Sequence, residues 1–274
     1  ALAVKGLCKR YPAFSLENVS FSVPEGAVMG FIGRNGAGKS TTLKALLGLV
    51  HPDAGEVTVL GKSFREEEQY IKERIGVVLG GIDFYPKKKV RLLSDVTRRF
   101  YGNWQEEKYR HYLNLFGIDQ EKRVDQLSTG MRVKYMIALA LSHDVRLLIL
   151  DEPTSGLDPV SRDELTELLR RIAADGQRSV LFSTHITSDL EKCADNIVYI
   201  RGGSIAGNGK LDAFLAQYRL VRFEGESAIE ARLIGCKRER SGYSALVRAD
   251  SLPLEGAQVS SATLEAVMVH MERE

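Results

Sequence analysis

Gly33-Arg34-Asn35-Gly36-Ala37-Gly38-Lys39-Ser40 satisfies the pattern G-x-x-x-x-G-K-[ST], and its flanks supply the context that gives the pattern meaning. Before it, Ala27-Val28-Met29-Gly30-Phe31-Ile32 is a short apolar run of strand length. After it, Ser40 to Leu49 places Leu43, Leu46 and Leu47 at helical spacing. The order is strand, glycine-rich loop, helix. Glycines let successive backbone N–H groups turn inward and form a concave nest for anionic oxygens. The helix beginning near Lys39 adds its positive end and unpaired N–H groups. Lys39 is expected to reach the β- and γ-phosphates of a nucleotide, and the Ser40 hydroxyl to ligate Mg²⁺. The expected nucleotide contacts are Gly33, Arg34, Asn35, Gly36, Ala37, Gly38, Lys39, Ser40, Thr41 and Thr42. A strand–helix turn that binds nothing needs neither the lysine nor the hydroxyl.

Downstream, Arg146-Leu147-Leu148-Ile149-Leu150-Asp151-Glu152 is an apolar strand that ends in two carboxylates. Ligands of open parallel sheets bind at that edge. Asp151 is expected to hold Mg²⁺ through water, and Glu152 to polarise the attacking water as general base. A further apolar run, Ser179 to Ser183, is followed by His185 at a comparable edge, where it is placed to contact a γ-phosphate and orient Glu152. The helix Pro159 to Asp175 separates these two strands.

Buried apolar runs alternating with amphipathic helices indicate an α/β fold with a mainly parallel, doubly covered sheet. Alternating segments at Ala3–Leu7 and Phe14–Phe21 predict an N-terminal β part, and Glu56–Leu60 and Ile75–Leu79 predict further strands. Residues 83–142 are charged at helical spacing and predict a helical insertion. From about Tyr218 the texture changes. Arg219–Glu224 and Tyr243–Ala249 read as strands and Thr263–Glu272 as a closing helix, which makes 218–274 a small α+β appendage on a domain of 1–217.

The 274 residues carry a formal net charge of +2, which predicts no attraction to nucleic acid. The three cysteines, Cys8, Cys193 and Cys236, form no C-x-x-C pair and give neither a disulfide framework nor a zinc signature. Ala1 to Gly6 lacks the basic segment and apolar run of a signal peptide. No apolar stretch approaches the roughly 18–20 residues of a membrane helix.

Taken in order, these motifs resemble the nucleotide-binding ATPase subunit of an ABC transporter, across Val4 to Leu215. Leu127-Ser128-Thr129-Gly130-Met131 is similar to the family's signature sequence, and Ser155-Gly156-Leu157-Asp158 to its D-loop. His185 is similar to its switch histidine, and Tyr11 to the aromatic residue that stacks on adenine. The resemblance implies a P-loop NTPase that binds ATP and Mg²⁺ and hydrolyses the ATP. It implies a second ATPase subunit, in a homo- or heterodimer, with the signature of each subunit (Ser128, Thr129, Gly130 and Met131 in this chain) facing the ATP of its partner. It implies a separately encoded membrane permease, and a place in the cytoplasm on the inner face of the cell membrane.

Two departures stand out. Gly80 occupies the position of the family's Gln, which contacts Mg²⁺ and links to the membrane domains, so either a neighbour such as Asp83 substitutes or the contact is missing. Met131 stands where Gln is commoner. The signature with Thr and Met is similar to the branch serving ABC-2 type exporters, including peptide-antibiotic and drug resistance systems. Two alternatives stay open: a soluble ABC-type ATPase acting on ribosomes or DNA, and a regulatory cassette with weak hydrolysis. Against the first stand a single cassette and an insertion without sustained heptads. Against the second stand Lys39, Asp151, Glu152 and His185.

Overall fold

The computed structural model describes residues 1–80, 85–224, 233–251 and 256–274. The chain opens with β1 (Leu2–Tyr11) and β2 (Phe14–Val23), which pair antiparallel with their alternating apolar residues turned inward. The fully buried β3 (Val28–Ile32) leads through the glycine loop into α1 (Lys39–Leu46). Then come β4 (Ala54–Val59), β5 (Lys62–Ser63), a short helix α2 (Glu68–Lys72) and β6 (Ile75–Val78). The strands β2-β1-β4-β5 form an antiparallel sheet in that order.

The insertion is helical, as its charge pattern predicts. It contains α3 (Val90–Thr97), α4 (Glu106–Leu115) and α5 (Thr129–Leu141), packed around a core of their own that includes Val90, Leu113, Leu127 and Tyr135. Asp83, named above as a possible stand-in for the missing Gln, lies outside the described residues.

The chain returns to the main sheet through β7 (Leu147–Asp151), α6 (Pro159–Ala173) and β8 (Ser179–Thr184). Asp158 caps α6 by accepting from the Val160 and Ser161 N–H groups, with Pro159 at the first helical position. α7 (Thr187–Cys193), β9 (Asn196–Arg201), β10 (Ser204–Lys210) and α8 (Leu211–Ala216) follow. The main sheet runs β10-β9-β3-β8-β7-β6, parallel except for β10. Its central strands β3, β8 and β7 are buried throughout, as continuous apolar runs require. The ends of β3, β6, β7 and β8 therefore emerge at one edge, with Ile32 beside Thr184 and Asp151 beside Ser183.

A third sheet begins at Tyr218: β11 (Tyr218–Phe223), β12 (Ile234–Glu239), β13 (Gly242–Arg248) and β14 (Gln258–Ser261), in the order β12-β13-β11-β14. The closing helix α9 (Leu264–Met271) packs against α7, and Leu264, Val267, Met268 and Met271 share one hydrophobic cluster with Leu190, Cys193 and Tyr199. The change of texture at Tyr218 marks a change of sheet, with no break in the core.

Candidate active site

The glycine loop closes on itself before α1 begins. Gly38 sits at φ 113°, a left-handed conformation open to glycine, and a Cβ there would meet Leu16 and Phe14 of β2. This contact brings the turn after Tyr11 against the loop. Tyr11 is half-exposed, with the Lys9 ammonium 5.9 Å from its ring centre. Thr42 is fully buried and its hydroxyl donates to the Gly38 carbonyl at 2.9 Å, so it stiffens the loop from within. Arg34, Asn35 and Gly36 form the exposed rim, and Ser40 and Thr41 are partly covered.

Lys39 is buried, and its ammonium donates to the Gly33 carbonyl at 2.7 Å and the Arg34 carbonyl at 3.3 Å. It also lies 3.1 Å from Glu152 Oε1. The other oxygen, Glu152 Oε2, is 2.8 Å from His185 Nδ1. One carboxylate is thus held between the lysine of the phosphate loop and the histidine after β8. The backbone aims it there: Glu152 has φ 50°, and its N–H donates to Ser183 Oγ at 2.9 Å and Ser183 O at 3.1 Å. A left-handed conformation costs a non-glycine residue about 1–3 kcal/mol and clusters at functional positions. No sequence signal announces it.

Ser183 serves both acids, since its hydroxyl also donates to Asp151 Oδ1. Among the described residues no group of three or more His, Cys, Asp or Glu is placed to hold a metal. A magnesium ion needs no such group, because it keeps several waters and takes one or two protein oxygens plus phosphate oxygens. Ser40, in the first turn of α1, and Asp151, at the end of β7, supply oxygens of that kind at the edge where β3 and β7 end with β8 between them.

Ser128 caps α5, its hydroxyl accepting from the Met131 N–H at 3.2 Å. Ser128 and Thr129 are exposed. The Met131 side chain packs against the core of the helical insertion, so it offers no polar group outward. Gly130 lies against Ser161 and Leu157, which puts the signature beside the segment ending in Asp158.

Gly80 gains a physical reason. A Cβ built there lies 2.8 Å from the Asp151 backbone carbonyl, too close for any side chain unless one of the two backbones shifts. A contact absent from the sequence reading joins the C-terminus to the loop: Glu272 accepts from the Tyr199 hydroxyl at 2.8 Å and lies 3.6 Å from Arg34. Arg34 is mostly exposed, so this ion pair contributes little by itself.

A family model for ABC transporters matches residues 16–155. This chain belongs to the ABC transporter family. It is 34% identical to the bacitracin transport ATP-binding protein BcrA of Bacillus licheniformis over 193 residues, which cover 70% of this chain and 63% of BcrA. It therefore spans less than two thirds of that relative. It is 33% identical to the ABC transporter ATP-binding protein NatA of Bacillus subtilis (strain 168), covering 75% of this chain and 85% of NatA. With the Nod factor export ATP-binding protein I of Burkholderia orbicola (strain AU 1054) the identity is 35%, covering 76% of this chain and 70% of the relative. A solved ATP-binding subunit of an ABC transporter superposes with a TM-score of 0.70 at 30% identity, covering 79% of this chain and 92% of the other. The P-loop NTPase fold expected from the phosphate loop is the fold found.

Proposed function

We propose that this chain is the ATP-hydrolysing subunit of an exporter, pairing with a second cassette and energising a separately encoded membrane permease from the cytoplasmic face of the cell membrane. The observation that carries the proposal is the Glu152 carboxylate held 3.1 Å from Lys39 and 2.8 Å from His185 at the mouth of the phosphate loop. Lys39 and the loop N–H groups bind the phosphates, and Tyr11 stacks on the adenine. Lys39 moves from Glu152 to the γ-phosphate as ATP enters, which frees Glu152 Oε1 to accept a proton from the attacking water. His185 keeps the carboxylate oriented through Oε2. Ser40 and Asp151 would hold a magnesium ion, which would supply charge neutralisation at the phosphates.

Ser128 and Gly130 of one subunit face the ATP of the other, presenting a helix N-terminus to its γ-phosphate. Binding closes the pair and hydrolysis loosens it. The permease docks in a groove of about 940 Å³ between α1, α2 and β6 and the start of the insertion, where Leu49 and Phe100 are 60% and 78% exposed. Leu79 lines this groove, and a Cβ at the next residue, Gly80, would meet Asp151, so the segment just after β6 lies between the docking groove and the acidic strand. Relatives named for bacitracin transport and Nod factor export support export over a role on ribosomes or DNA. Nucleic acid is not among the proposed partners.

The purified protein is expected to release phosphate from ATP with Mg²⁺, and Lys39→Ala to lower turnover by at least about 100-fold, as loss of a charge-stabilising group does. Unchanged turnover in Lys39→Ala would sink the assignment.

A further inference from the structure

Among the described residues, five buried side-chain atoms lack a well-formed hydrogen bond, and three of them share one place: Thr154 Oγ1 and Asp189 Oδ2, which face each other, and Arg162 Nε. Thr154 lies two residues after Glu152, Arg162 in the first turns of α6, and Asp189 four residues after His185 in α7. Asp189 is 1% exposed. The Arg162 guanidinium bridges the loop after Glu152 and helix α7, with Nε 3.9 Å from Asp189 Oδ1 and Nη2 donating to the Leu157 carbonyl at 3.4 Å. Burial raises the Asp189 pKa, while its neighbours Thr154, Arg162 and Lys192 pull it back toward the charged form.

A junction that only glued α6 to α7 would be served as well by apolar side chains, because buried ion pairs often stabilise less than hydrophobic residues of equal volume. What the charged pair adds is register between the loop after Glu152 and the loop after β8. We infer that Arg162 and Asp189 are positioning residues for hydrolysis: they lock the Thr154–Asp158 loop to the start of α7, so that His185 stays within hydrogen-bond reach of Glu152. Neither touches the nucleotide. The inference rests on the roles proposed above for Glu152 and His185.

The test is a double-mutant cycle between Arg162→Gln and His185→Ala, reading kcat for phosphate release and Kd for a fluorescent ATP analogue. Arg162→Gln should lower kcat by about tenfold with Kd changed by less than about threefold, since the lost interaction acts on the transition state alone. In the His185→Ala background the same change should alter kcat by less than about twofold, because residues acting as one unit are non-additive. Equal kcat losses in both backgrounds, or a loss that follows Kd, would overturn the inference. If Arg162→Gln does not fold, Asp189→Asn enters the same cycle with the same expected results. Unchanged kcat in His185→Ala alone would instead overturn the proposed role of His185, so the two failures are distinguishable.

Discussion

Replacing Gly80 by Gln gives the chain the residue usual in its family, and the structure argues that this harms it. A Cβ at position 80 lies 2.8 Å from Asp151 O and 3.9 Å from Glu152 Cβ. The first contact is about 0.6 Å short of ordinary van der Waals separation, and the opposing atom is backbone, with no rotamer to yield. Overpacking of this kind costs about 1–3 kcal/mol. Removing a glycine from an unstrained position recovers about 0.4–1 kcal/mol through the unfolded chain. The clash wins, and the net loss should lower Tm by several degrees, at about 2–4 °C per kcal/mol for a domain of this size. The opposing backbone belongs to Asp151, the last residue of β7, directly before Glu152. Displacement by even about 1 Å at a reacting group can cost on the order of 100-fold, so kcat should fall at least about tenfold. Gly80→Ala carries the same Cβ without the amide and should show the same losses. Differential scanning fluorimetry and steady-state phosphate release read both. If Gly80→Gln keeps its Tm and turns over faster than the parent, the close approach does not constrain the site and the reasoning fails.

Acid should weaken the fold through His143. It is buried, stacked at 4.1 Å on Tyr101 and bonded through Nε2 to Ile75 O, and burial lowers its pKa. The unfolded chain therefore binds the proton that the folded one refuses, and stability falls as pH drops below about 6.5. Urea unfolding of His143→Gln should show an acid slope shallower by up to about 1.4 kcal/mol per pH unit, and an unchanged slope would refute the assignment. Burial pushes the Cys193 thiol up to about 12, while Cys236 is exposed. An aromatic disulfide reagent should label Cys236 in the folded protein and Cys193 only in denaturant, and rapid labelling of Cys193 would contradict its burial.

The nucleotide-binding edge was legible because its chemistry is local. The loop Gly33–Ser40, the strand ending in Asp151-Glu152 and the histidine after β8 each announce themselves over a few residues. The parallel sheet then brings their ends together. The hairpin of β9 and β10 was missed although Gly202-Gly203 is a strong turn signal, with φ 53° and 84°. β12 and β14 were missed for a different reason: both are edge strands, β14 is exposed throughout and the partly covered positions of β12 hold Lys237 and Glu239, so neither shows the apolar alternation that marks a half-buried strand. The short helices α2 and α7 span too few turns to show a period. Glu272 at Arg34 and Tyr199, and Arg162 at Asp189, join positions far apart in sequence, and only the fold reveals them.

The central claim is that Glu152 acts on water bound beside an ATP held between this chain and a second cassette. Glu152→Gln keeps the shape of the side chain and the binding loop while removing the base. Size-exclusion chromatography with light scattering, run with and without Mg-ATP, tests it most directly. The account predicts a stable dimer of Glu152→Gln with ATP, which a second change, Ser128→Arg, abolishes. Monomer alone with ATP, or a dimer indifferent to Ser128, would contradict it.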